Sequence, residues 1–159
     1  MSGRGEQPAH RRWRGVPSAL HDGRVEALRY LTDEERIRLL ARADSRSYEA
    51  NEQILGENEY HEEIYIVIEG WVRVEKLTSS DVVLIDRLGP GEVFGEMSLL
   101  DGSPTNSSVV ADESVEVFVF HLGNIADLLE EDPVLASHLY HSLAVTITRR
   151  LRERNAAAK

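Results

Sequence analysis

Cysteine is absent from all 159 residues. That excludes disulfide bonds, thiolate nucleophiles and thiolate metal sites. No window approaches the roughly 18 consecutive apolar residues that suggest a membrane-spanning helix. Residues 1–17 contain arginines but no apolar run behind them, so no secretory leader is expected and the cytoplasm is the expected location. Excess positive charge is missing too. Eighteen Lys and Arg stand against 28 Asp and Glu, a formal net charge of −10, which argues against non-specific binding to nucleic-acid phosphates. There is no fixed-period repeat, P-loop, nucleophile elbow or kinase signature. No catalytic residue, metal ligand set or cofactor is expected, and the chain does not read as an enzyme.

What remains suits one soluble domain, with 42% hydrophobic and 29% charged residues. The charge is unevenly spread. Arg4, Arg11, Arg12, Arg14 and Arg24 crowd the start. Residues 1–24 therefore read either as a basic arm for a partner or a lipid, or as a solvated tail. Residues 25–155 form the expected domain, and 156–159 a tail.

Leu28, Leu31, Ile37, Leu39 and Leu40 recur at helical spacing, and Thr32 with Glu35 forms a capping box, so a helix starts near Thr32. From Ser47 the period changes to two. Residues 64–69, 71–75, 82–88, 109–110 and 115–120 read as strands, broken by Gly70 and by Gly89-Pro90-Gly91. Helical spacing returns with Ile125, Leu128 and Leu129. It stops at Asp132 and restarts at Pro133, which suits a first helical turn. Leu135, Leu139, Leu143, Ile147 and Leu151 then follow at four-residue steps, either as a seam for a homodimer or as a face packed on the chain's own strands. The order helix, strands, helices gives an α+β domain with an antiparallel roll.

Residues 88–111, LGPGEVFGEMSLLDGSPTNSSVVA, carry the chemistry. Gly95 lets a ligand approach the backbone closely. A short helical turn after Glu96 would offer unpaired amides of Met97 and Ser98 to an anion, and the Glu96 carboxylate accepts hydrogen bonds from sugar hydroxyls. That describes a sugar-phosphate cradle. The same residues also fit a turn in which Glu96 does no more than favour a helix N-terminus. The glycines at 89, 91 and 95 do not have the spacing of a dinucleotide fingerprint.

The run Phe94-Gly95-Glu96-Met97-Ser98-Leu99-Leu100, preceded by Leu88-Gly89-Pro90-Gly91-Glu92, resembles the phosphate-binding cassette of cyclic-nucleotide-binding domains. These occur in the catabolite activator protein, protein kinase A regulatory subunits and nucleotide-gated channels. Residues 64–72 resemble that family's strand-glycine-strand signature, and the likeness extends over about residues 31–154. It implies an eight-stranded β-roll with flanking helices, the last serving as a lid or dimer contact. In the family the cassette continues Pro-Arg-Ala or Pro-Arg-Thr. Its arginine pairs with the cyclic phosphate and its glutamate with the ribose 2′-hydroxyl.

Here the continuation is Pro104-Thr105-Asn106-Ser107-Ser108, and no Lys or Arg occurs from residue 94 to 111. Losing one partner of a buried ion pair costs about 3–5 kcal/mol, or about 10²–10³-fold in affinity. Weak or absent classical cAMP binding is the expectation. Three explanations remain. The domain serves only as an interaction module. Alternatively, the pocket takes a cyclic dinucleotide or another ligand read by Thr105, Asn106, Ser107 and Ser108. Or a cation arrives from elsewhere: Arg73 or Arg87 on the strands, Arg149 or Arg150 on the final helix. The pocket residues are then Gly95, Glu96, Met97, Ser98, Thr105, Asn106 and Ser107. Lys159 closes the chain just after the last helix, leaving no room for a helix-turn-helix. DNA is not an expected partner, and output is expected through a partner protein in trans. The remote alternative is a cupin-like metalloenzyme, but that needs a His-x-His pair on a strand. His138 and His141, three apart on a helix, lack further ligands.

Overall fold

The apolar runs around residues 64–68 and 115–120 are continuous because both faces of those strands are covered. The computed structural model describes residues 25–157. Strands β1 (Asp44–Tyr48), β8 (Val115–His121), β3 (Glu63–Glu69) and β6 (Val93–Phe94) form one antiparallel sheet in that order. A second contains β2 (Gln53–Leu55), β7 (Ser108–Ala111), β4 (Val72–Leu77) and β5 (Val82–Leu88). Tyr65, Val67, Val117 and Val119 point inward to meet Val72, Val74 and Val109 between the sheets. Ile64, Ile66, Phe118 and Phe120 point outward, under the helices. This is the expected α+β roll of eight antiparallel strands with flanking helices.

Leu28 lies in a single 3-10 turn, Glu26–Leu28, rather than in a longer helix. Helix α1 (Asp33–Leu40) begins at the expected capping box. The Thr32 hydroxyl accepts from the Glu35 amide at 3.2 Å, and the Thr32 amide donates to Glu35 Oε1 at 2.9 Å. Helix α2 is the short turn Met97–Leu100, α3 runs Leu122–Glu131 and α4 runs Pro133–Ala157. No helix among the described residues is long and apolar enough to cross a membrane. The basic arm at residues 1–24 lies outside the described residues. At Gly70, between β3 and β4, φ is +86° and an added Cβ would stand 2.4 Å from the Ser114 carbonyl oxygen, so no other residue fits that turn.

Helix α4 sets the geometry of everything that follows. Leu135, Leu139 and Leu143 are buried in the chain's own core, while Leu151 is exposed. A second, polar row lies on the same helix at four-residue steps: His138, Ser142, Thr146 and Arg150. The His138 ring nitrogen Nδ1 contacts Glu35 Oε1 at 2.7 Å, and the Tyr30 amide donates to Ser142 Oγ at 2.9 Å. Tyr30 also stacks on His141, centroids 3.9 Å apart. These contacts fasten α4 to the N-terminal segment. They also give both helical histidines protein partners, and no group of three or more metal-binding side chains occurs among the described residues.

Burial pushes the Glu35 carboxyl up, but bonds from the Thr32 amide and the His138 ring outweigh it and hold the group below its ordinary value. A carboxylate depressed in the folded state stabilises the fold above its unfolded pKa, and that contribution is lost as pH falls through the folded value. Acid unfolding followed by circular dichroism below about pH 5 should therefore destabilise the wild type more steeply than Glu35→Gln, whose side chain cannot titrate.

Candidate ligand-binding site

Strand β6 ends at Phe94, where the cassette leaves the roll. There a cavity of about 240 Å³ is lined by Leu55, Val74, Leu88, Phe94 and Val109 from the roll, and by Gly95, Glu96 and Met97 from the cassette. Thr105, Asn106 and Ser107 close one side, His61 another. Ile147, Arg150, Leu151 and Arg154 of α4 close the remaining wall. Phe94 is fixed by stacking on Tyr65, centroids 4.8 Å apart. Gly95 has φ +80°, and a Cβ there would lie 3.0 Å from the Glu63 carbonyl oxygen, so the glycine is required for the chain to bend past β3.

Six of the seven expected pocket residues line this cavity. The exception is Ser98, whose hydroxyl donates to the Gly95 carbonyl at 2.9 Å and which does not line the cavity. Thr105 lines it, but its hydroxyl is already engaged. It accepts from the Glu59 amide at 2.9 Å and donates to the Gly56 carbonyl at 2.5 Å. Thr105 therefore stitches the β2–β3 loop to the β7 approach rather than offering a free donor. Asn106 and Ser107 stand beside it, 3.4 Å apart through Ser107 Oγ and Asn106 Oδ1.

The four cations expected to compensate for the missing arginine separate clearly. Arg73 and Arg87 do not line the cavity. Arg73 is paired with Glu75 and Asp112, each at 2.8 Å, and Arg87 lies 3.9 Å from Asp112. Arg149 is held by Glu26 and by Glu92 at 3.4 Å, also away from the cavity. Arg150 alone of the four reaches it. Its Nη2 donates to the Val93 carbonyl at 2.6 Å, and its Nη1 lies 3.5 Å from Glu96 Oε1. Arg150 is 9% and Glu96 8% exposed, so both charges sit away from water, where such pairs interact more strongly. The Arg150 Nε–H is buried with no hydrogen-bond partner. Its donor capacity is unfilled at a place where unmet donors are costly.

Two ionisable lining residues, Arg154 and His61, were not among those expected from the sequence. Arg154, one turn beyond Arg150, approaches Asp86 at 3.9 Å, so the α4 wall carries two guanidinium groups against the single Glu96 carboxylate. The polar four-residue row through Ser142 and Thr146 was the available signal for Arg150's orientation, and Arg154 continues it. His61 lies 34 positions before Gly95 in the chain, and only the fold brings them together.

The model of the cyclic nucleotide-binding domain matches residues 45–132, more than half of the chain. The cyclic AMP receptor protein of Thermus thermophilus is 33% identical over 124 residues, which span 77% of this chain and 56% of that protein. A cAMP-dependent protein kinase type II regulatory subunit of Drosophila melanogaster is 32% identical over 96 residues, 60% of this chain and 26% of that protein. The crystal structure of a cyclic nucleotide-binding domain from Methylobacillus flagellatus KT has the same fold. Its TM-score is 0.76 at 24% identity, covering 84% of this chain and 81% of that one. The chain thus spans about half or less of the two curated relatives.

Proposed function

Because the chain belongs to the cyclic nucleotide-binding domain family, we propose that it is a regulatory module that binds a cyclic mononucleotide through a phosphate site of non-standard make-up, with its cation supplied by α4 instead of the cassette. The observation that carries this reading is Arg150, buried against Glu96 at the cavity with an unfilled Nε–H donor. A guanidinium offers its donors in a planar fork that suits phosphate. Glu96 supplies the acceptor for a ribose hydroxyl. The amides of Met97 and Ser98, at the first turn of α2, have no partner within that helix.

The cavity's size favours one nucleotide. At about 240 Å³ it falls just below the usual range of ligand pockets, roughly 300–1,000 Å³. A cyclic dinucleotide carries twice the base, sugar and phosphate. The buried apolar lining of Leu55, Val74, Leu88 and Val109 suits a base.

A ligand held between Glu96 and α4 changes how α4 sits on the roll, so α4 is the output element. The module acts in the cytoplasm on a partner protein in trans. Leu135, Leu139 and Leu143 are used by its own core, so a homodimer through α4 would rest on the exposed Val134, Tyr140 and Leu151.

Thermal unfolding tests the reading. A ligand at 100 times its Kd adds about 2.7 kcal/mol of stability, which raises the Tm of a domain of this size by roughly 5–10 °C. cAMP or cGMP should produce that shift. No shift with either at millimolar concentration would leave an interaction module that has lost the ligand.

A further inference from the structure

The cassette position that resembles an arginine site holds Thr105, and Arg150 lines the same cavity from α4. His61 lines this cavity together with Gly95 and Thr105. The loop that carries His61 is stitched to residue 105 from both sides. The Glu59 amide donates to Thr105 Oγ1, and the Thr105 amide donates to the Glu59 carbonyl, each at 2.9 Å. Two residues on, the His61 ring abuts the cassette. Its Cε1 lies 3.1 Å from where a Cβ on Gly95 would stand.

The ring is also oriented. Its Nδ1 accepts from the Glu63 amide at 3.4 Å, so in the neutral ring the proton sits on Nε2. That Nε2–H has no protein acceptor among the described residues. Glu63 itself is held by the Arg46 fork at 2.8 and 3.0 Å and by the Tyr65 hydroxyl, so the amide that orients the ring is anchored.

We propose that His61 is a second donor to the ligand phosphate, reaching it from the β2–β3 loop in addition to Arg150 of α4, and that it makes affinity for an anionic ligand rise as the imidazole gains charge. The proposal rests on the cyclic-mononucleotide reading above. The charged groups that line the cavity with His61 are Glu96 from the cassette and Arg150 and Arg154 from α4, while Glu59, Glu62 and Glu63 flank it in its own segment. The arginines stay charged throughout. The other described histidines do not line the cavity: His121 lies 3.6 Å from Glu62, His138 meets Glu35 and His141 stacks on Tyr30. Imidazoles are the side chains that ordinarily gain charge between about pH 8 and pH 5, and a cyclic phosphodiester does not titrate there. A charged ring carries an N–H at Nδ1 as well, so it must turn away from the Glu63 amide, a contact of 3.4 Å, as it takes up the ligand.

The test is isothermal titration of cAMP and cGMP into wild type, His61→Gln and His61→Arg at several pH values from about 8 to 5.5, with circular dichroism checking that each variant is folded. For the wild type, affinity should rise about tenfold across that range, the difference between a neutral and a charge-assisted hydrogen bond. His61→Gln should bind more weakly and lose the slope. His61→Arg should bind tightly with no slope, which a merely structural role for His61 does not produce. Unchanged affinity and slope in His61→Gln would overturn this proposal while leaving the cyclic-mononucleotide reading intact. Absence of binding in wild type and His61→Arg alike would overturn both.

Discussion

Replacing Arg150 with alanine should weaken cyclic-mononucleotide binding by about 10²–10³-fold, the range set by loss of one partner of a buried ionic contact. Two effects combine. The ligand loses its planar donor on the α4 wall, and Glu96, 8% exposed, loses the charge that accompanies it. The second effect also acts on the free protein. Breaking a buried pair costs about 3–5 kcal/mol in favourable geometry, and less is expected here because the closest approach is 3.5 Å. Reduced stability would obscure a binding result, so the informative comparison is the double variant Glu96→Gln with Arg150→Met. It removes both charges together and should recover most of the stability. Ligand affinity should remain low. Wild-type affinity in the double variant would show that α4 supplies no ligand contact. Titration calorimetry and thermal melts on the three proteins separate these outcomes.

Thr105→Arg should act in the opposite direction on affinity and in the same direction on stability. An arginine there supplies the residue that the resemblance to the phosphate-binding cassette implies at this position. A charged hydrogen bond to phosphate contributes about 1.5–3 kcal/mol, or roughly 10–100-fold in Kd. A larger gain, about 10²–10³-fold, would be expected if the cavity held no other cation, so the size of the gain reports how much α4 already provides. The cost lies in the loop. The Thr105 hydroxyl bonds both Gly56 and Glu59, and leaving those backbone groups unmet costs about 1–3 kcal/mol. No gain in affinity would mean that residue 105 does not face the ligand phosphate.

The parts of the fold that were legible in the sequence are those in which local pattern and tertiary environment agree. β3 and β8 bury both faces, so their apolar runs stand out, and the Thr32–Glu35 box marks the start of α1. β1 was not legible. Its sequence is Asp-Ser-Arg-Ser-Tyr, and Ser45 is buried only because the strand pairs along β8 from Asp44 to Tyr48. β6 has two residues, too few to show a period, and exists through its pairing with Tyr65 and Ile66.

The candidate site divides the same way. The cassette residues are contiguous, so Gly95, Glu96, Met97, Asn106 and Ser107 were visible as a group. Thr105 reads as a free neutral donor until the Gly56 and Glu59 contacts consume its hydroxyl. Arg150 and Arg149 are adjacent in sequence and equivalent in chemistry. A rotation of about 100° along the helix sends one to Glu96 and the other to Glu26 and Glu92. Only the buried polar row on α4 distinguishes them. Arg73 and Arg87 are taken up by Asp112, a partner that no spacing rule would have picked out.

The most direct test of the central claim is isothermal titration of the wild-type protein with cAMP, cGMP and a cyclic dinucleotide at moderate salt. The account predicts saturable binding of one cyclic mononucleotide per chain at micromolar Kd, with the dinucleotide weaker. No heat from either mononucleotide at millimolar concentration, or tighter binding of the dinucleotide, would contradict it.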